Sequence, residues 1–308
     1  MTTAELARPY APSLFTRARG FVRRHWFEIV LISPLFLYVF GTTLIPVIAS
    51  ILLGFQDPPR GGGFPSLESY KLVLEHYQFF SLEKINSALT NTIIITVVSV
   101  GLELVLGLIV AMMMARRFRG RGIFRAIMLL PLGIPVVVAA SNMRYIFLSS
   151  GYLNEALMDL NLISQPIDWL AAPLALLTVA ISDMWKVTPL VMLILLAGLE
   201  SIPSELYEAA QVDGASAWRR FRHITLPLLR PAITSAVVIR GIDAFRIFAH
   251  PMGLGVSQTV PVLSTFGYEE YRRLYYTTSA ATSTILLVMI LVAVLLYIRI
   301  AGTKEITG

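Results

Sequence analysis

Of the 308 residues, 56% are hydrophobic and only 14% charged, too few charges to cover a water-soluble globule of this size, since a soluble domain averages ~25%. A mean hydropathy of +0.71 points instead to a polytopic membrane protein. The apolar content excludes a disordered chain, and the lack of cysteine excludes a disulfide-stapled fold, thiolate metal sites and thiol catalysis. The net charge of +6 would suit nucleic acid on a soluble domain, but in a membrane protein it first asks where the basic residues lie.

A membrane span needs about 20 mainly apolar residues. In chain order the candidates are Ile29–Phe55, Ile93–Ala115, Ile123–Phe147, Pro173–Leu199, Ala232–Phe248 and Ser279–Ile298. The fifth is short and holds three charges. Pro34 and Pro46 are expected to kink the first, which reads as a retained signal anchor rather than a cleaved leader. The longest loop opens on Asp57-Pro-Pro-Arg-Gly-Gly-Gly63 and runs into Ser66–Phe80, a candidate amphipathic interfacial helix. The pattern predicts an all-α membrane protein with six transmembrane helices. Residues 29–300 form one membrane domain, flanked by tails at 1–28 and 301–308.

Basic residues fix the expected orientation. Arg8, Arg17, Arg19, Arg23 and Arg24 precede the first span, and Arg116, Arg117, Arg119, Arg121 and Arg125 crowd the link between spans two and three. Arg219, Arg220, Arg222 and Arg230 lie between spans four and five, and Arg299 and Lys304 follow span six. The opposite side holds only Arg60, Lys71, Lys84, Arg272 and Arg273. This bias predicts both termini in the cytoplasm. The positive charge is therefore a topology signal, and no basic soluble domain is left to bind nucleic acid.

Several chemistries lack their residues. None of the four lysines sits in a Gly-x-x-x-x-Gly-Lys-Ser/Thr loop, so the chain does not bind ATP that way. His25, His76, His223 and His250 are scattered without ligand-pair spacing. There is no Gly-x-Ser-x-Gly elbow. An enzyme, a metal site and a cofactor within this chain are all disfavoured.

The segment between spans four and five, 201–230, carries the densest pattern. Pro203 suits a first helical position, with Ser201 or Ser204 as cap. Glu205 and Glu208 fall in the early turns, where the helix dipole favours carboxylates. Leu206, Ala209, Ala210 and Asp213 share one face, and Gly214 is a natural left-handed stop. A second short helix, Ala215–Ile224, is expected to set Trp218 and Phe221 against three arginines. By periodicity alone this is either a helix pair lying on lipid headgroups or a small-residue face that admits a partner.

The residues resemble something more specific. Glu208-Ala209-Ala210, Asp213-Gly214, Ile224 and Leu226-Pro227 fill every position of the "EAA loop" of binding-protein-dependent ABC importer permeases. Further segments resemble the sugar-importer subset of that family: Asn91-Thr-x-x-x-Thr, Leu129-Leu-Pro131, Trp185-Lys-Val-Thr-Pro189 and Ile242-Asp-Ala-Phe-Arg-Ile-Phe248. Ser33-Pro34, Pro46 and Leu67-Glu-Ser-Tyr70 are similar to the first permease of maltose- and trehalose-type systems. The resemblance covers roughly residues 29 to 300. It departs after Phe248, where the subset usually has an Asp and a Thr-Gly-Gly-Gly-Pro-like turn and this chain reads Ala249-His-Pro-Met-Gly-Leu-Gly-Val-Ser257.

The resemblance implies a type I ABC importer permease fold in a prokaryotic cytoplasmic membrane. It implies four partners: a second homologous permease, a dimer of ATPase subunits that hold the ATP and magnesium, an extracytoplasmic binding protein, and a sugar. The EAA residues would then dock in the ATPase and couple its closure to the spans.

Intramembrane charges cost about 2.5–3.5 kcal/mol each at the centre of a span, so they need partners or an aqueous path. Span two holds Glu103, span four Asp183 and Lys186, span five Arg240, Asp243 and Arg246, and Arg144 lies near the end of span three. One reading pairs Asp183 with Lys186 and Asp243 with its flanking arginines to hold spans four and five together. The other lines a substrate path with these groups, Asn142, and the aromatic faces of Trp185, Phe245 and Tyr145. A rival class is a secondary transporter or channel that uses Arg240, Asp243 and Arg246 directly, without ATPase partners.

Overall fold

The computed structural model describes residues 23–76, 79, 87–116 and 118–301; the 1–22 and 302–308 tails and the interfacial-helix residues 77, 78 and 80 lie outside. The described residues are helical, with no strand among them. Four helices are long and apolar enough to cross a membrane, and two bent pairs raise the number to six if each is one span.

The first unit of the chain is the greater part of α1 (Trp26–Gly54). It runs unbroken past both prolines expected to kink it. A wide π turn at Phe40–Leu44 ends just before Pro46. That turn includes Thr42, whose carbonyl the Pro46 ring would otherwise strike. Almost every large side chain on α1 is exposed.

The second unit begins at Leu53. The expected interfacial helix is α2 (Glu68–Glu75), which buries Ser69 and Val73 against its own unit instead of lying free. Val73 joins Phe79, Leu263, Phe266 and Ala281 in one apolar cluster. Next come α3 (Ala88–Ala115), α4 (Arg121–Gly133) and α5 (Val136–Phe147). Ser87 caps α3 by accepting from Thr90 N.

Span three is predicted as one helix, but the chain bends by 99° between α4 and the segment that starts with α5. Pro135 is the reason. It offers no N–H and forces its neighbour Ile134 out of the helical region, to φ −83° and ψ 133°.

A short helix, α6 (Tyr152–Asp159), then turns the chain toward α7 (Leu174–Glu200). Asn154 organises this turn. Its Nδ2 donates to the carbonyls of Ser149 and Ile167, and its Oδ1 accepts from Ile167 N and Trp169 Nε1. At the other end of α7 come α8 (Ser204–Val212) and α9 (Ala217–Leu228), the latter bent by 61° from α10 (Arg230–Phe245). Two short helices, α11 (Ala249–Leu254) and α12 (Leu263–Arg272), precede α13 (Tyr276–Ala301).

The core is α3 against α7, with α10 across both. Small residues allow the close approach that membrane helices rely on. A Cβ on Gly107 would sit 3.0 Å from Val191 Cγ1, and one on Gly198 only 2.6 Å from Ala232 Cβ. Met114, Met192, Leu195, Leu229 and Ala236 fill one end of this core. Ile95, Phe147, Val179, Leu254 and Val260 fill the other.

Candidate functional site

Two places gather the residues singled out in the sequence. One is a polar cleft roughly midway along α3, α7 and α10. The other is the α8–α9 hairpin.

Arg240 is the centre of the first. Its Nε donates to Glu103 Oε2 at 2.6 Å and its Nη2 to Glu103 Oε1 at 2.8 Å, a bidentate pair. The same Nη2 reaches Asp183 Oδ2 at 2.9 Å. The Ser99 hydroxyl lies between the two carboxylates, 2.9 Å from Glu103 Oε1 and in hydrogen-bond contact with Asp183 Oδ2. His250 closes the cluster: Nδ1 is 2.9 Å from Ser182 Oγ and Nε2 is 3.6 Å from Asp183 Oδ1. All of these side chains are buried. Three helices are thus joined by charge at a depth where an unpaired charge would be expelled.

The expected pairing is corrected here. Asp183 and Lys186 do not pair with each other. Asp183 goes to Arg240, while Lys186 Nζ donates to the backbone carbonyl of Leu132, 2.9 Å away, in the last turn of α4. A residue three positions along a helix is near in space, but Arg240 arrives from another helix with a bidentate fork and a second carboxylate. Asp243 does hold Arg246, at 2.6 Å and 3.2 Å, though this pair is partly exposed and lies within the last turn and C-cap of α10, so it does not join α10 to another helix. Its approach to Arg240 Nη1 is only 3.9 Å.

A cleft of about 450 Å³ opens over this cluster, lined by Asp183, Lys186, Arg240, Asp243, Arg246 and His250 with Leu132, Val136 and Phe248. Trp185 and Phe245 are not part of it. Trp185 faces Pro131 and Met184 in an apolar crevice, and Phe245 faces Val97 and Tyr297 in another. Asn142 is exposed on α5 and also lies outside the lining. The aromatic at the cleft is Phe248, packed edge-on against Tyr268 at 5.3 Å. Sequence reasoning passed over Phe248, Ser99, Ser182 and His250 as site residues. The signal for His250 was present, because it lies in the stretch that departs from the family pattern.

The second place is built locally. Gly214 takes φ +72°, the left-handed stop expected of it. Its N–H donates to Gln211 O and Ala215 N–H to Ala210 O, which closes α8. The expected serine cap does not form: Pro203 occupies the cap position, and Ser201 Oγ donates back to Gly198 O. Ser216 caps α9 instead, accepting from Arg219 N. The second helix is longer than predicted. It passes through a π turn at Phe221–Thr225 and carries Ile224, Leu226 and Pro227 as far as Leu228.

Tyr207 Oη and Thr225 Oγ1, 3.0 Å apart, tie the two helices together, and Trp218 stacks on Phe221 at 5.5 Å as their spacing predicts. No residue of α8 is buried. Glu208, Ala209, Asp213 and Gly214 are exposed, Ala210 is half-buried, and Val212 is 89% exposed. The hairpin is a braced element with a bare outer face.

Residues 103–302 match the family described as "Binding-protein-dependent transport system inner membrane component". The chain is 37% identical over 226 residues to the trehalose/maltose transport system permease protein MalF of Thermococcus litoralis, covering 71% of this chain and 73% of that protein. It is 36% identical over 270 residues to the trehalose transport system permease protein SugA of Mycobacterium tuberculosis, covering 84% and 83%. A chain of a bacterial ABC transporter involved in import of the acidic polysaccharide alginate superposes with a TM-score of 0.80, covering 95% of this chain and 100% of that one. At 24% identity that last likeness is one of fold. These relatives are permeases and not enzymes, and this chain belongs to the family of binding-protein-dependent transport system inner membrane components.

Proposed function

We propose that the chain is the transmembrane subunit of an ATP-driven importer, carrying a sugar of two or more units across the cytoplasmic membrane by alternating access. The α8–α9 end faces the cytoplasm, and Glu208 to Gly214, with Ile224, Leu226 and Pro227 behind them, seats in a separate ATPase dimer that supplies ATP and magnesium. A second permease completes the pathway, and an extracytoplasmic binding protein delivers the sugar. The observation that carries this reading is the α8–α9 hairpin: it is braced from within and buries nothing of its first helix. A helix with no core of its own to serve is suited to transmit a push.

The cleft supports the substrate class. Its volume is in the range of small-molecule sites, which run from about 300 to 1,000 Å³. Both arginines in the lining are held by carboxylates and Lys186 donates to the Leu132 carbonyl, so the cleft offers a mixture of donors and acceptors, which an uncharged, hydroxyl-rich ligand suits. The same pairing weighs against a secondary transporter driven by Arg240, Asp243 and Arg246. The names of the trehalose and maltose relatives agree with an uncharged sugar.

Mass spectrometry of what co-purifies with a tagged copy in mild detergent is the test. A phosphate-loop ATPase, a second permease and a secreted binding protein are expected. A chain that comes out alone, or only with itself, sinks the importer reading.

A further inference from the structure

The broken third span poses a physical problem that Lys186 answers. A helix that stops inside a membrane leaves its last carbonyls without N–H partners. Where α4 stops, Ile134 N–H turns back to Pro131 O, and Pro135 has no N–H to give. The Leu132 carbonyl is met from outside its own helix, by the Lys186 ammonium at 2.9 Å. A cation is also what the negative end of the α4 dipole favours.

Lys186 is 5% exposed, and among the described residues no carboxylate lies within salt-bridge distance of it, although Asp183 stands one turn away on the same helix. An ammonium has three N–H donors. One goes to Leu132. The cleft lined by Asp183, Arg240, Asp243 and Arg246 lies beside the other two. Every other cation in that lining has a carboxylate partner.

We propose that Lys186 is a positioning residue that latches the end of α4 to α7 and offers its remaining donors to an oxygen of the transported sugar. Substrate and the broken span then share one ammonium. A sugar oxygen that draws the ammonium into the cleft weakens the hold on Leu132 and frees α4 to move relative to α7. Arrival of substrate is thereby converted into release of a span. The sugar half of this inference rests on the importer reading above, whereas the latch half rests on the geometry alone.

The test has one arm for each half and uses the complete transporter in lipid nanodiscs or proteoliposomes. The first arm is amide hydrogen exchange of residues 131–138 in wild type, Lys186→Met and Lys186→Arg. Loss of the latch is expected to speed exchange there by about tenfold, equal to ~1.4 kcal/mol of local opening, with no change in α8–α9 and with restoration by arginine. Unchanged exchange at 131–138 in Lys186→Met overturns the latch.

The second arm is uptake of trehalose and its singly deoxygenated analogues. Removing one particular hydroxyl is expected to raise KM in wild type and not in Lys186→Met, the coupling that a direct contact produces and a structural role does not. If every analogue shifts KM equally in both proteins, Lys186 does not touch the sugar. If wild type takes up neither trehalose nor maltose, the substrate reading drawn from the relatives' names has failed, and the exchange arm still decides the latch.

Discussion

Arg240 and Arg246 are the same residue type, six positions apart, and their surroundings make them opposites. Arg240 is 3% exposed and holds Glu103 and Asp183, whereas the Arg246 side chain is 64% exposed and holds only Asp243. Removing one member of a buried ion network leaves charge without compensation and costs about 3–5 kcal/mol. Breaking an exposed pair costs about 0–1 kcal/mol. Arg240→Met is therefore expected to lower the unfolding midpoint of the detergent-solubilised protein strongly, and Arg246→Met hardly at all. Equal losses would show that the Glu103–Arg240–Asp183 cluster does not hold the helices together. Asp243→Asn belongs with the mild class, because Arg240 keeps both of its principal partners. The sequence identified all five of these charges as groups in need of partners. It did not reveal the pairing, since Glu103 and Arg240 are 137 residues apart and helical spacing speaks only of neighbours on one helix.

At the scale of elements, Gly214 and Gly198 are required for different reasons. Gly214 has open space around it, so its need is conformational: φ +72° costs a β-branched residue about 1–2 kcal/mol. Gly214→Val is expected to distort the turn that aims α8 and to cut uptake by about tenfold, the equivalent of ~1.4 kcal/mol. ATP hydrolysis and membrane insertion should remain. Undiminished uptake in proteoliposomes would remove the hairpin from the coupling path. Gly198 is a matter of space. A Cβ there would meet Ala232 Cβ at 2.6 Å and Leu229 Cδ1 at 2.8 Å, so α7 and α10 must part. Gly198→Leu is expected to destabilise the solubilised protein by about 1–3 kcal/mol, read in the same unfolding assay. An unchanged midpoint would mean that the two helices separate freely.

These elements were legible to different degrees. The α8 stop, the Trp218–Phe221 face and the long apolar helices follow from local rules that a sequence states directly. The 99° break was present in Ile134-Pro135 but hidden by hydropathy, which averages over a window and cannot distinguish one straight span from two half-spans. The serine cap failed because Pro203 takes the cap position, which leaves Ser201 two residues before the cap and Ser204 already inside the first turn of α8.

At the scale of the whole molecule, the functional reading requires that α8 and α6 face opposite sides of the membrane. They lie at the two ends of α7, whose 27 residues rise about 40 Å, enough to cross the hydrocarbon core. The arginine bias predicts that the α8 end lies in the cytoplasm. The absence of native cysteine makes this testable with single introduced thiols. Val212 is 89% exposed beside Gly214, and Tyr152 is 73% exposed at the start of α6, so a cysteine at either site is open to reagent on this chain expressed without an ATPase over α8. In intact cells stripped of their outer wall, a membrane-impermeant maleimide is expected to label Tyr152→Cys at once and Val212→Cys only after permeabilisation. The reverse pattern would place the α8–α9 hairpin outside the cell, beyond reach of any ATPase that draws on cytoplasmic ATP. In that event the family fold would stand, but the coupling assigned to residues 204–228 would not.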